Sequence, residues 1–215
     1  MTERGGLVRS IAKAAMCGEL DRQRLATRTG RFVLVLLIFS MAAASSKTFL
    51  AQAKDPTEYE IKAAFLLNFA KFVEWPSDAF ANDIAPINLC VIRYDPFGSA
   101  LDDTIRGKII NNRQLLARRI SELPDLKSCQ MVFVSDREDK RLPEILGSAK
   151  GSNALIVGES EDFAERGGSV QFYLENSRLR FAVNVDAVQR ARLTVSSKLL
   201  MLAKIVHDPI HPKGE

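Results

Sequence analysis

Histidine is scarce in this chain. There are two in 215 residues, His207 and His211, both close to the C-terminus. A Ser-His-Asp triad needs an imidazole held inside the folded body, so hydrolysis of that kind is not expected. A metal centre would need more ligands than two histidines and three cysteines can supply. The G-x-S-x-G elbow, the phosphate-binding Walker loop, the G-x-G-x-x-G fingerprint and the H-E-x-x-H zinc motif are all missing. No catalytic residue, metal ligand or cofactor-binding residue is therefore assigned, and the chain is not read as an enzyme. There is no internal repeat and no long linker, so a single domain is expected. No apolar run reaches the roughly 20 residues that a spanning helix requires.

What is present in excess is positive charge, and it is unevenly placed. The formal net charge is +4 and the pI near 9.0, values that on their face suggest nucleic acid or an anionic membrane. Residues 1–53, however, hold eight Lys and Arg against three acids. The seven basic residues from Arg4 to Arg31 precede an uncharged run, Phe32–Ser40, which Met41–Ala44 extends; Ala51-Gln52-Ala53 follows. A basic region, a short apolar stretch and an A-x-A site together describe a secretory signal peptide. Cleavage is expected after Ala53, with Ala44 as a second site. No twin arginines precede the apolar run, which points to the general secretory route. The remaining 162 residues carry 22 basic and 23 acidic side chains, a net charge of −1. Nucleic acid is therefore not an expected partner.

Removal of the leader takes Cys17 with it and leaves Cys90 and Cys129. An even pair in an oxidising compartment suggests one structural disulfide. A reactive thiol or a metal ligand is the alternative reading of the same two residues.

Along the rest of the chain, Asp55-Pro56 reads as a helix start, with Asp55 as N-cap and a helix running to Glu74 before Trp75-Pro76. Its polar residues Glu60, Asn68, Lys71 and Glu74 fall in one arc. Most of the remaining surface is apolar, interrupted only by Lys62. Such a helix is either deep in the core or covered by a partner, and Phe65, Phe69, Phe72 and Trp75 are the candidate interface residues. Short apolar strands are expected at Ile87–Ile92, Gln130–Ser135 and Ala154–Val157. A weaker strand is expected at Leu115–Ile120, and a hairpin at Ser169–Glu175 and Arg178–Val183 around Asn176-Ser177. Helical segments are expected at Ser99–Ile105, Leu142–Ala149, Asn184–Arg190 and Val195–His207, with residues 209–215 a disordered tail. The fold class is α/β: a single domain at 54–208 with a mixed β-sheet flanked by helices. Asp102-Asp103 reads as a solvated pair, Ser196-Ser197 as helix-capping, Gly167-Gly168 as a turn, and His207 as a helix-closing cation.

Several segments together resemble the YfiR family of periplasmic regulators. They are Asn68–Pro76 (NFAKFVEWP), Asp95–Gly98 (DPFG), Cys129 before QMVFVS, Gly167-Gly168, Arg180–Asn184 (RFAVN) and Ser196–Leu200 (SSKLL), in order across about residues 57–207. The resemblance implies an exported homodimer. It would bind the periplasmic sensor domain of an inner-membrane diguanylate cyclase, hold the cyclase inactive, and so lower cyclic di-GMP and biofilm formation. It further implies that an OmpA-like outer-membrane lipoprotein can sequester the repressor. Cys90 and Cys129 match one disulfide of the family's prototype. The second, linked there to redox sensitivity, has no counterpart, because the GGSVQFY stretch lacks cysteine. A periplasmic small-molecule-binding module with a different output is the alternative reading.

Overall fold

The computed structural model describes residues 56–209. The leader (1–53), Asp55 and the end of the tail (210–215) lie outside the described residues.

The first helix, α1 (Glu58–Phe72), begins with a capping box. The Glu60 backbone N–H donates to the Thr57 hydroxyl at 3.3 Å and the Thr57 N–H donates back to the Glu60 carboxylate. Thr57 is thus the N-cap, two residues after the expected Asp55. The helix also stops two residues earlier than the expected Glu74. Val73–Glu74 (β1) leaves it in extended conformation and pairs antiparallel with Thr194–Val195 (β9), Val73 opposite Val195.

The main sheet is built from β2 (Ile87–Ile92), β3 (Ile109–Ile110), β4 (Arg113–Ile120), β5 (Met131–Val134), β6 (Leu155–Gly158), β7 (Val170–Glu175), β8 (Arg178–Asn184) and β10 (Lys204–Val206). Its strand order is β10-β8-β7-β6-β5-β2-β4-β3. The five inner strands β4-β2-β5-β6-β7 are parallel. The hairpin partner β8 runs antiparallel to β7 and makes the sheet mixed. The helices α2 (Ala100–Ile105), α3 (Leu142–Ser148), α4 (Val185–Arg190) and α5 (Ser197–Leu200) fill the connections.

Strand periodicity of two builds a core on each face of the sheet. Leu89, Val91, Met131, Phe133, Leu155 and Val157 point to the face covered by α1. Cys90, Ile92, Val132, Val134 and Ile156 point to the other, with Leu142 and Ile145 of α3. Burial on both faces is why β5 and β6 read as unbroken apolar runs. At the end of β6 the buried Phe163 ring lies flat between two glycines. A Cβ on Gly158 would sit 2.2 Å from the ring and one on Gly168 2.1 Å from it, so only glycine fits at either place.

The expected helix Val195–His207 is not formed. Its first half is the single turn α5, capped by the Ser196 hydroxyl, and its end is β10, parallel to β8 with Lys204 opposite Ala182. Leu199, Leu200 and Val206 fit a helical spacing, but the free edge of β8 offers a hydrogen-bonding partner to the β-branched pair Ile205-Val206. His207 therefore closes no helix. Its Nδ1 lies 3.2 Å from the Asp186 carboxylate.

Candidate functional site

The order of the parallel strands creates a natural site. The chain moves from β2 outward to β4, then returns to β5 on the other side of β2. Connections leaving the carboxyl ends of β2 and β5 therefore diverge, and a crevice opens there, the place where open α/β sheets hold ligands. Helix α1 runs across one face of the sheet, so its first turn meets this crevice. Tyr59 stacks edge-on against Phe97 of the loop after β2, ring centroids 5.5 Å apart. Glu159, the residue after β6, is reached from both α1 and the loop after β5. The Tyr59 hydroxyl donates to its Oε1 at 3.2 Å, the Asp136 N–H to the same oxygen at 3.3 Å, and Lys62 Nζ to Oε2 at 2.5 Å. Lys62 also pairs with Glu58 at 2.5 Å and lies 4.6 Å from the centroid of the Tyr59 ring.

Lys62 is 4% exposed, which is exceptional for a lysine unless its charge is matched. The Tyr59 phenol is pushed up by burial first, and then by the charge of and hydrogen bond to Glu159. A cavity of about 520 Å³ opens beside this cluster and is also lined by residues of the β7–β8 hairpin, among them Leu174 and Leu179. In sequence, Lys62 stands out as the one break in the apolar arc of α1. Nothing local marks Glu159, 97 residues away, as its partner.

The four aromatic interface candidates separate into different roles. Phe69 is fully buried, stacked on Phe172 at 5.7 Å and edge-on to Phe181 at 5.2 Å. It belongs to the core and offers no surface to a partner. Phe65 is half-buried against Phe172 and Phe181, at 5.9 and 5.6 Å. Trp75 is half-buried, and its indole N–H donates to the Gln130 carbonyl at 2.9 Å. Phe72 is 36% exposed at the end of α1. Its carbonyl accepts from Ser196 N–H at 2.9 Å, which brings the C-terminal segment alongside. That segment, within the span where a helix is expected, exposes the large apolar side chains Met201 and Leu202.

Cys90 and Cys129 are bonded to one another, with Cα atoms 5.9 Å apart, beneath the face covered by α3. The bridge closes a 39-residue separation that spans β4, so reduction, or Cys90→Ala with Cys129→Ala, is expected to lower unfolding stability by about 2–4 kcal/mol. Urea unfolding with and without reductant measures it.

The remaining polar motifs are structural. Asp102 accepts two hydrogen bonds from Arg119 at 2.8 and 2.7 Å, and these hold its carboxyl below the usual range against an opposing effect of burial. Asp103 pairs with Arg106 at 2.7 Å. Gly167 takes the positive φ of +105° that its turn requires. Among the described residues no group of three His, Cys, Asp or Glu is placed to hold a metal ion, and no helix is long and apolar enough to cross a membrane.

The fold is a doubly wound α/β domain with one disulfide, Cys90–Cys129. Comparison with known families is more specific: residues 59–204 match the YfiR/HmsC-like family, and the chain belongs to it. Members of that family are periplasmic regulators of diguanylate cyclase signalling rather than enzymes. Two solved structures are also similar. A conserved domain protein from Vibrio cholerae has 11% identity and a TM-score of 0.47, covering 70% of this chain and 60% of that one. The ABC domain in complex with L-Trp from Streptococcus pneumonia has 9% identity and a TM-score of 0.41, covering 56% of this chain and 55% of that one. The chain thus spans 60% or less of the length of either.

Proposed function

We propose that this protein is exported by a signal peptide cleaved after Ala53 or Ala44 and acts in the periplasm, as a homodimer of the domain at 54–208. It binds the periplasmic sensor domain of an inner-membrane diguanylate cyclase and inhibits the enzyme, lowering cyclic di-GMP and biofilm formation. An OmpA-like outer-membrane lipoprotein relieves the inhibition by sequestering the repressor. The observation that carries this reading is the family match over residues 59–204. A repressor shifts a cyclase only by binding its inactive form more tightly than its active form, so it needs a docking surface rather than a catalytic centre. The exposed Phe72, with Met201 and Leu202 on the adjoining segment, supports such a surface, and half-buried Phe65 and Trp75 back it from the core side.

Deletion of the gene is expected to raise cyclic di-GMP and biofilm. Complementation with Phe72→Glu is expected to fail although the variant protein is folded and exported, because a charge in an apolar contact is costly to desolvate. Unchanged cyclic di-GMP in the deletion strain, with a neighbouring diguanylate cyclase gene intact and expressed, overturns the repressor reading. Full complementation by Phe72→Glu moves the docking surface elsewhere.

A further inference from the structure

We infer that the cavity at the carboxyl ends of β5, β6 and β7 binds a small organic cation: a primary ammonium group on an apolar body. The volume, about 520 Å³, falls in the range of roughly 300–1,000 Å³ that small-molecule sites occupy. The cavity opens at the carboxyl ends of the parallel strands, the side on which open α/β sheets hold ligands.

The lining decides the ligand's charge. Four carboxylates, Glu58, Asp136, Glu159 and Glu161, border the cavity with a single cation, Lys62. Lys62 is already committed to Glu58 and Glu159, at 2.5 Å each, and cannot neutralise a ligand carboxylate as well. Asp136 and Glu161 enter no ion pair among the described residues. An anionic ligand would meet a net charge of about −3, and a cation would be drawn to it.

The aromatic content decides the body. The half-buried Tyr59 ring borders the cavity together with Leu179 and the exposed Leu174 of the hairpin, so an ammonium can lie beside an aromatic ring while its carbon skeleton covers apolar side chains. The domain already binds one ammonium in this way. The Lys62 Nζ lies over the Tyr59 ring between two carboxylates.

The inference does not depend on the repressor reading, and its test involves no cyclase. Phenethylamine is titrated calorimetrically into the purified protein at low ionic strength, with phenylacetate, of the same shape and opposite charge, as control. Saturable binding of the amine alone is expected, with amide chemical-shift changes centred on Tyr59 and Gln171–Leu174. Asp136→Asn combined with Glu161→Gln removes the two unpaired carboxylates, both exposed, and leaves the buried cluster intact. Loss of charge-assisted contacts is expected to weaken binding roughly tenfold or more with the unfolding midpoint unchanged. The inference is overturned if the amine gives no saturable heat, if phenylacetate binds as well, if the shifts centre elsewhere, or if the folded double variant binds as tightly as the parent.

Discussion

Replacing Lys62 by Met is expected to lower unfolding stability by about 3–5 kcal/mol, the cost of leaving one member of a buried ion pair without its counter-charge. The two partners of Lys62 respond differently. Glu58 has a side chain 47% exposed and simply returns to water. Glu159 has a side chain 6% exposed, and after the substitution it keeps only the Tyr59 hydroxyl and the Asp136 N–H, both at 3.2 Å or longer. Two neutral donors do not replace an ammonium at 2.5 Å. Methionine has nearly the volume of the lysine stem, so the loss reports charge rather than a cavity. Glu159→Gln in the Lys62→Met background removes the orphaned charge and is expected to recover most of the loss. A double-mutant cycle on urea unfolding isolates the coupling. A single-variant loss below about 1 kcal/mol would put the pair in the class of exposed salt bridges and refute its burial.

The same pair shows how far sequence reasoning reaches in this fold. The inner strands are legible because each is buried on both faces, so Ile87–Ile92, Met131–Val134 and Leu155–Gly158 read as apolar runs with no periodicity to resolve. The hairpin is legible because Asn176 and Ser177 both take positive φ, at 50° and 59°, in the turn that local chemistry predicts. Elements whose identity depends on a distant partner are not legible. Val73 is extended because Val195 is beside it, and Lys204–Val206 is a strand because β8 has a free edge. The local apolar spacing at Val195–His207 suits a helix equally well, and tertiary pairing decided the matter. The candidate site divides along the same line. Lys62 is conspicuous as a charge on an apolar arc, but Glu159 becomes a partner only when β6 is placed next to β5 beneath α1.

Phe69→Ala is expected to cost about 3–5 kcal/mol, whereas Phe72→Ala, three residues along the same helix, is expected to cost less than about 1 kcal/mol. The contrast follows from what surrounds each ring. Phe69 is 0% exposed and closes an aromatic cluster with Phe65, Phe172 and Phe181 at centroid distances of 5.2 to 6.1 Å. Its removal empties a space that helix α1 and the β7–β8 hairpin cannot both move to fill, because α1 is fixed at its start by the capping box and at its end by β1–β9 pairing. Phe72 projects past that cluster and is 36% exposed, so truncating it empties no enclosed space. Urea unfolding of the two purified variants separates them, and a cyclic di-GMP measurement in complemented deletion strains should invert the order. Phe72→Ala, folded and stable, is expected to lose repression. Any loss by Phe69→Ala should track its lower abundance and recover when the protein is over-expressed. Equal stability losses would mean that Phe72 is packed as Phe69 is, and the docking surface would then have to be sought away from the end of α1.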